Sequence, residues 1–468
     1  MSHQDLKVAV KGVKGACLGR ALRWLLGSVT WPNVKFRDDC SWTPSLLVAA
    51  AMLWAWGDQS TLKERFQSSH KITRFLFGVQ WELAQSYQAF IKLLSRWTND
   101  LMPPVQAAMR HCMQHNLPDC WDLHGFVLFA VDGSRIDLPR SASNQHAYCA
   151  NRKNQKQGTK GKNGKKKTQK SSHSRKADVP QMWLTTMWHM GTGLPWDWRT
   201  GPSDSSERAH FMEMLDFLPL LALIAGDCGF MGYEYWKRVA DSGRHFVIRV
   251  GSNVKLLRNL GCFRQSGQTV YLWPDNAARK NQLPLALRLI VIHNGKHPVY
   301  LVTNVCSEDR LSDQQIMDIY RGRWGIELFY RNLKQTFHRR KLRSTSPDNA
   351  WLELEWSIAG LWAMGLYALI EAQRVGTPVQ KVSTAQMLRA FREVMREYYH
   401  PYERGNGLCH QLHNAVIDSY VRKNKASRDY PRKKKESPPG SPTIIEATPE
   451  QVKRAKEVLA MYKKGLPA

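Results

Sequence analysis

Apolar positions fall into two rhythms along this chain, and the change between them divides it. Up to about residue 122 the apolar runs have the length and spacing of helices. Thr43-Pro44 opens a run that closes at Trp56-Gly57-Asp58, and Ser60 is placed to cap a second helix carrying Leu62 and Phe66. Two helices joined by a short glycine-containing turn suit either a DNA-reading helical unit or an ordinary helical hairpin.

From residue 126 the runs shorten. Residues 126–131 (FVLFAV) form a continuous apolar stretch ending in Asp132-Gly133-Ser134, the pattern of a buried strand that stops in a turn. Residues 181–190 and 194–199 predict two further strands joined as a hairpin at Gly191-Thr192-Gly193. Residues 204–217 then predict a helix, 221–225 a strand and 233–239 another helix, so the chain reads as mixed α/β. Between 245 and 306 the runs HFVIRV, QTVYLW, LALRLIVI and PVYLVTNV are all strand-like, and the whole stretch is expected to be a β insertion. Trp273, its one tryptophan, is read as a core residue. A long apolar helix is predicted over 351–372, and a last helix opens at Thr448-Pro449.

The most informative pattern lies between these segments. Ser312 with Gln315 has capping-box spacing and starts a helix. On it, Tyr320, Arg323, Glu327 and Lys334 fall within an arc of roughly 60°, at about 100° per residue. Ile319, Ile326, Phe329, Leu333 and Phe337 occupy the neighbouring arc, so the charged stripe borders the buried face of what is expected to be a single helix. A carboxylate flanked by two cations and a phenol at such a border suits a site for metal and phosphate together. The bland alternative is a surface helix whose Glu327 pairs with Arg323 or Arg331.

Charge points to a polyanionic partner. The 468 residues include 68 Lys and Arg against 39 Asp and Glu, a formal charge of +29, enough to attract nucleic acid or an anionic membrane over long range. The most apolar windows, 46–56 and 358–370, are shorter than the roughly 20 residues needed to cross a bilayer. No secretory leader pattern opens the sequence, and nine cysteines without a CxxC pair read as reduced thiols in a cytosol, with no zinc site. No acidic residue lies between Asp137 and Asp178, while eleven Lys and Arg collect at 152–176, predicting a flexible basic loop over about 150–178. Its charge suits a DNA-backbone arm or a solvated insert.

Asp132 and Asp227 each follow an apolar strand-like run and are each followed within two residues by Gly, which is expected to place both at strand ends, where open α/β sheets bind ligands. Glu327 can join them from the helix. Three converging carboxylates repel one another unless divalent metal lies between them, and hard oxygen donors favour magnesium or manganese. Such a cluster supports attack of water or a 3′-hydroxyl on a phosphodiester with two ions, Arg323 and Lys334 neutralising phosphate and Tyr320 donating to it. Asp137, Asp204, Glu207 and Glu234 are the competing carboxylates; they lack the strand-end context or the basic stripe.

Tyr320, Arg323, Glu327 and Lys334 reproduce the Y-(2)-R-(3)-E-(6)-K signature of the insertion-sequence-4 family of DDE transposases, and Asp132 in AVDGSR and Asp227 in AGDCGF resemble its first two acidic motifs. The resemblance implies an RNase H-like mixed sheet flanked by helices over 123–390, interrupted by the β insertion 245–306, behind a helical N-terminal domain (1–122) and before a helical, basic C-terminal tail (391–468). It implies magnesium-dependent cut-and-paste transposition with two Mg2+ ions, Mn2+ as substitute, held by Asp132, Asp227 and Glu327. Tyr320, Arg323 and Lys334 would contact DNA phosphate, and Arg331 is counted with them. Implied partners are double-stranded transposon-end and target DNA and a second copy of the chain in the DNA complex, on the bacterial nucleoid. A catalytically silent DNA-binding descendant of a transposase, or an RNase H-like nuclease or resolvase without strand transfer, are the alternatives.

Overall fold

The computed structural model describes residues 16–79, 83, 85–149, 179–262, 267–293, 297–399, 407–417 and 440–463. The predicted basic loop 150–178 lies outside the described residues, as does a second basic run, RKKK at 432–435. Four helices come first: α1 (Ala16–Gly27), α2 (Pro44–Trp56), α3 (Leu62–Phe77) and α4 (Tyr87–Asn116). Then follow β1 (Val127–Asp137), α5 (Ala142–Tyr148), β2 (Gln181–His189), β3 (Leu194–Gly201), α6 (Glu207–Met214), β4 (Ala222–Gly226), α7 (Tyr233–Asp241) and β5 (His245–Val250). The chain continues through β6 (Lys255–Arg258), β7 (Thr269–Leu272), α8 (Asp275–Arg279), β8 (Leu285–Ile292) and β9 (Val299–Thr303). It ends with α9 (Asp313–Gly322), α10 (Gly325–Arg331), α11 (Pro347–Arg374), α12 (Thr384–Arg396), α13 (Leu408–His413), β10 (Thr443–Glu446) and α14 (Pro449–Lys463).

All ten strands join one sheet in the order β10-β6-β7-β8-β9-β5-β4-β1-β2-β3. At one end of the sheet β2 is antiparallel to β1 and to the edge strand β3, while β1, β4 and β5 run parallel. That order and polarity make the RNase H-like sheet the resemblance implies. The sheet is covered on both faces, which is why the first five residues of β1 are all buried instead of alternating. Phe126, Leu128, Leu223, Ala225 and Val247 pack under Ile316, Ile319 and Tyr320 of α9. The opposite face carries Phe129 and Val131, which share a core with Phe211 and Met214 of α6.

Three boundaries differ from the sequence reading. The run HFVIRV, expected as the start of the insertion, is β5, paired in parallel with β4 and antiparallel with β9. The remaining runs therefore extend the central sheet instead of standing apart from it, and alternation along a strand cannot reveal which neighbour it pairs with. Strand β10 comes from the C-terminal tail and pairs with β6 at the sheet edge. Helix α3 is capped by Thr61, not Ser60: the Thr61 hydroxyl accepts from the Glu64 amide while Glu64 accepts from the Thr61 amide, a reciprocal box that only the second position can close. Trp273 is core, 5% exposed, its indole donating to the Gln282 carbonyl at 2.8 Å.

Helix α2 is buried on nearly every side because its sequence is apolar on every side, and α11, also buried nearly all round, buries Glu353, Glu355 and Glu371 against hydrogen-bonding partners. They cross at Gly360, where a side chain would come within 3.1 Å of Ala55 and where the Trp56 indole donates to the Gly360 carbonyl at 2.8 Å. The N-terminal helices thus share one hydrophobic core with α11 and the sheet. No helix among the described residues is long and apolar enough to cross a membrane. Cys40, Cys112, Cys120, Cys149, Cys228, Cys262, Cys306 and Cys409 are free thiols.

Candidate active site

Strand register builds the floor of the site. The last parallel pairs are Ala130 with Ala225 and Gly226 with Ile248. Just beyond these pairs lie Asp132, Asp227 and Arg249, and Asp132 is near enough to Asp227 for their charges to repel. Asp132 is not at a strand end as expected. It sits midway along β1, which continues with β2 as far as Asp137. The end belongs to the neighbour: β4 stops at Gly226, and the sheet opens beside Asp132. Backbone amides fix both acids, Gly133 donating to Asp132 Oδ1 at 2.9 Å and Gly229 to Asp227 Oδ1 at 2.8 Å. The second contact is a turn closed by the aspartate side chain, the use to which Asp is suited after a strand.

The stripe-bearing helix is broken into three parts. Helix α9 ends at Gly322 and α10 begins at Gly325; between them Ile326 and Glu327 bond back to Arg323 and Trp324, three residues earlier. A π-turn follows over Asn332–Thr336, closed by the Phe337 amide on the Asn332 carbonyl at 2.9 Å. The two glycines explain the first break. A side chain at Gly325 would lie 2.2 Å from the Trp188 ring, and one at Gly322 would lie 2.7 Å from Met190, so the chain can approach the β2–β3 hairpin only where both lack side chains. The tightened turn and the π-turn deviate in opposite senses from 3.6 residues per turn.

Tyr320 and Arg323 are both buried, at 8% and 5% exposure. The Arg323 guanidinium lies 5.6 Å from the Tyr320 ring centre and 5.0 Å from that of Trp324, and its Nε has no hydrogen-bond partner. Burial raises the Tyr320 phenol above its ordinary pKa, against the fields of Arg323 and Arg249. Lys334, in the π-turn, donates to Ser134 Oγ at 2.7 Å, and burial lowers its pKa. Glu327 is exposed. Arg331 is exposed too and lines a separate groove of about 540 Å³ with Trp188, Leu328 and Asn332. Between them, buried Tyr330 donates to the Asp132 carbonyl at 2.6 Å, tying α10 to β1 at the acid itself.

The acids feel one another. Burial pushes the Asp132 carboxyl up to about 6; the Gly133 amide opposes, Asp227 raises it further, Arg323 lowers it and Glu327 raises it. A fourth carboxyl belongs to the same neighbourhood. Glu207 is pushed up to about 7 by burial and then by Asp132 and Asp227, with Arg135 opposing. The sequence reading had Glu207 only as a competitor and did not single out Arg249. Local pattern holds no signal for Glu207, which opens α6; Arg249 could have been noticed as the one cation in a buried strand. Among the described residues, no group of three or more His, Cys, Asp or Glu side chains stands in a ready metal-holding arrangement. The acids share a neighbourhood without forming a closed coordination shell.

Comparison with known proteins gives this neighbourhood a family. A family profile described as "Transposase DDE domain" matches residues 124–362, from just before β1 into α11. The chain is 30% identical over 141 residues to "Transposase InsG for insertion sequence element IS4" of Escherichia coli (strain K12), covering 28% of this chain and 31% of that protein. It is 26% identical over 151 residues to "Putative transposase y4zB" of Sinorhizobium fredii (strain NBRC 101917 / NGR234), covering 31% of this chain and 40% of that one. The matched stretches thus span less than half the length of either relative. Among solved structures, a piggyBac transposase synaptic complex with hairpin DNA superposes over 92% of this chain and 90% of its own, at 12% identity and a TM-score of 0.38, too loose a likeness to bear on function.

Proposed function

Since this chain belongs to the transposase DDE-domain family, we propose that it cuts DNA at the ends of a mobile element and joins those ends to target DNA, by metal-dependent phosphodiester hydrolysis and transesterification. The supporting observation is that Asp132 and Asp227 follow closely on the last β1–β4 pair, where β4 stops, with Asp227 and Glu327 both near enough to raise the Asp132 carboxyl.

Asp132, Asp227 and Glu327 would hold two Mg2+ ions, with Mn2+ as a substitute. The donors fit such ions in chemistry: all are hard carboxylate oxygens, and their mutual repulsion is the condition a divalent cation relieves. The open shell requires exposed Glu327 to turn inward on binding. When bound, ions of this kind activate the attacking hydroxyl and stabilise the leaving oxygen. The chain's own part is positioning. Arg323 holds a buried Nε without a partner, so a shift of its surroundings on DNA binding would bring a phosphate oxygen to it. Lys334 is steered by Ser134 toward the strand that carries Asp132 and supplies a point charge. Tyr320 and Arg331 would contact DNA beside them. The formal charge of +29 supplies attraction to the duplex without sequence choice. Two copies working on two ends, on the bacterial nucleoid, complete the reading.

Glu327→Gln tests it, because the amide keeps the shape and loses the charge. Incubated with Mg2+ and element-end DNA, the variant is expected to bind the DNA normally and to lose metal-dependent cutting. Undiminished cutting would remove Glu327 from the site. In the wild type, joined products separate a transposase from a nuclease or resolvase, which hydrolyses without joining.

A further inference from the structure

The site described so far is fed from one face of the sheet. Asp132 shares that face with Leu128, under α9, and Ser134, which holds Lys334, continues it. Gly133 points the other way, toward α6. Its missing side chain matters: a Cβ there would lie 2.3 Å from Glu207 Oε1 and 2.7 Å from the Trp183 ring. The Glu207 carboxylate therefore rests directly on the backbone next to Asp132. At Gly229, the corresponding point lies 3.0 Å from Asp227 Oδ1 and 3.8 Å from Glu207 Oε2, so the two carboxylates flank one small volume. The sheet does not separate them, because β4 has already ended.

Neither local structure nor pairing accounts for this placement. Glu207 follows the cap Ser206 and opens α6, where an acid is favoured by the helix dipole, but that preference is met equally by a side chain in water. Instead it is folded back, partly buried, beside two aspartates. Among the described residues its carboxylate has neither an ion pair nor a hydrogen bond, and Arg135, whose charge opposes its raised pKa, is turned to the Trp183 ring at 5.1 Å. On the opposite side stands Arg323, 5% exposed with an unpartnered Nε, its field reaching Asp132. Part-buried carboxylates that repel one another and a buried guanidinium nitrogen without an acceptor are both left incomplete. A divalent cation with a phosphate completes both.

Resting on the reading above, we propose that Glu207 is a fourth acidic ligand of the metal site, reaching the ion shared by Asp132 and Asp227 through the gap that β4 leaves. The site is then gripped from both faces, by α6 as well as by α10, and Gly133 serves to admit the Glu207 carboxylate.

The test is Mn2+ binding to the full chain on uncleaved end DNA, with free Mn2+ counted by electron paramagnetic resonance and the thermal shift on Mn2+ addition followed in parallel. Glu207→Gln is expected to weaken Mn2+ binding by about 10-fold or more and to shrink the thermal shift, while DNA affinity stays as in the wild type. Glu207→Asp, which keeps the charge on a shorter arm, is expected to fall between the two. Asp132→Asn separates this inference from its premise. Loss of Mn2+ in Asp132→Asn with wild-type binding in Glu207→Gln overturns the fourth ligand alone. Wild-type binding in both overturns the metal site itself. A Glu207→Gln protein whose metal-free melting temperature falls while its Mn2+ affinity is unchanged marks a purely structural glutamate and also overturns the proposal.

Discussion

Replacing Gly325 with alanine sets two effects of opposite sign against each other. By helix propensity alone the change is favourable by up to about 1 kcal/mol. Packing forbids it. On the observed backbone the new methyl would stand 2.2, 2.8 and 3.1 Å from Cη2, Cζ3 and Cζ2 of Trp188. Ordinary carbon contacts are about 3.5–4.0 Å, so the closest pair must part by about 1.3 Å or more. Trp188 is 7% exposed on β2 and belongs to the main core, so α10 is the element that must move. Overpacking of this kind costs about 1–3 kcal/mol, which outweighs the propensity gain. Glu327 lies two residues further on, and a displacement near 1 Å costs on the order of 10²-fold in rate. Cleavage of end DNA under single-turnover conditions, with melting temperature and DNA affinity measured on the same preparations, reads all three effects. Slower cleavage by about 10²-fold, a lower melting temperature and unchanged DNA affinity are expected. Adding Trp188→Phe, which removes the colliding part of the indole, should recover some of the lost rate. A Gly325→Ala protein as stable and as fast as the wild type would refute the claim that this contact positions Glu327.

Two other predictions concern the scaffold. Tyr330→Phe removes the hydroxyl that joins α10 to the Asp132 carbonyl at 2.6 Å; chemical denaturation should show a loss of about 1–3 kcal/mol, with slower cleavage but no change in DNA affinity. Glu355 is buried on α11, and burial pushes its carboxyl from about 4.5 up to about 7 against the hydrogen bond from the Trp198 indole at 2.7 Å. Because the folded value is the higher one, the native chain holds a proton between about pH 4.5 and 7 that the unfolded chain has released. Stability therefore falls as pH rises through that window, by about 3 kcal/mol at most. Glu355→Gln should flatten that part of the pH profile of the melting temperature; an unchanged slope would show that Glu355 does not cause it.

What could be read in advance divides along a physical line. Elements whose signal is local were legible: the buried run into Asp132, the hairpin at Gly191-Thr192-Gly193, the Ser312–Gln315 cap that opens α9. Angular periodicity set Tyr320, Arg323, Glu327 and Lys334 in one general direction, but it could not see the break at Gly322–Gly325. That break depends on Trp188 and Met190, more than 130 residues away in sequence. Pairing was similarly hidden. Nothing within HFVIRV distinguishes a strand beside β4 from a strand of an insertion, and nothing within TIIE announces a partner in β6. Glu207 was hidden for the same reason: its site character comes from Gly133 and Gly229 in the folded chain, not from its own surroundings in sequence.

Where divalent ions bind decides whether Asp132, Asp227 and Glu327 form a metal site. Anomalous X-ray scattering from crystals of the chain with uncleaved end DNA and Mn2+ locates them directly. Peaks within coordination distance of the Asp132 and Asp227 carboxylates, with Glu327 turned inward to reach one of them, are the expected result. Ordered DNA with no manganese between Asp132 and Asp227, or with its manganese bound elsewhere, would contradict it.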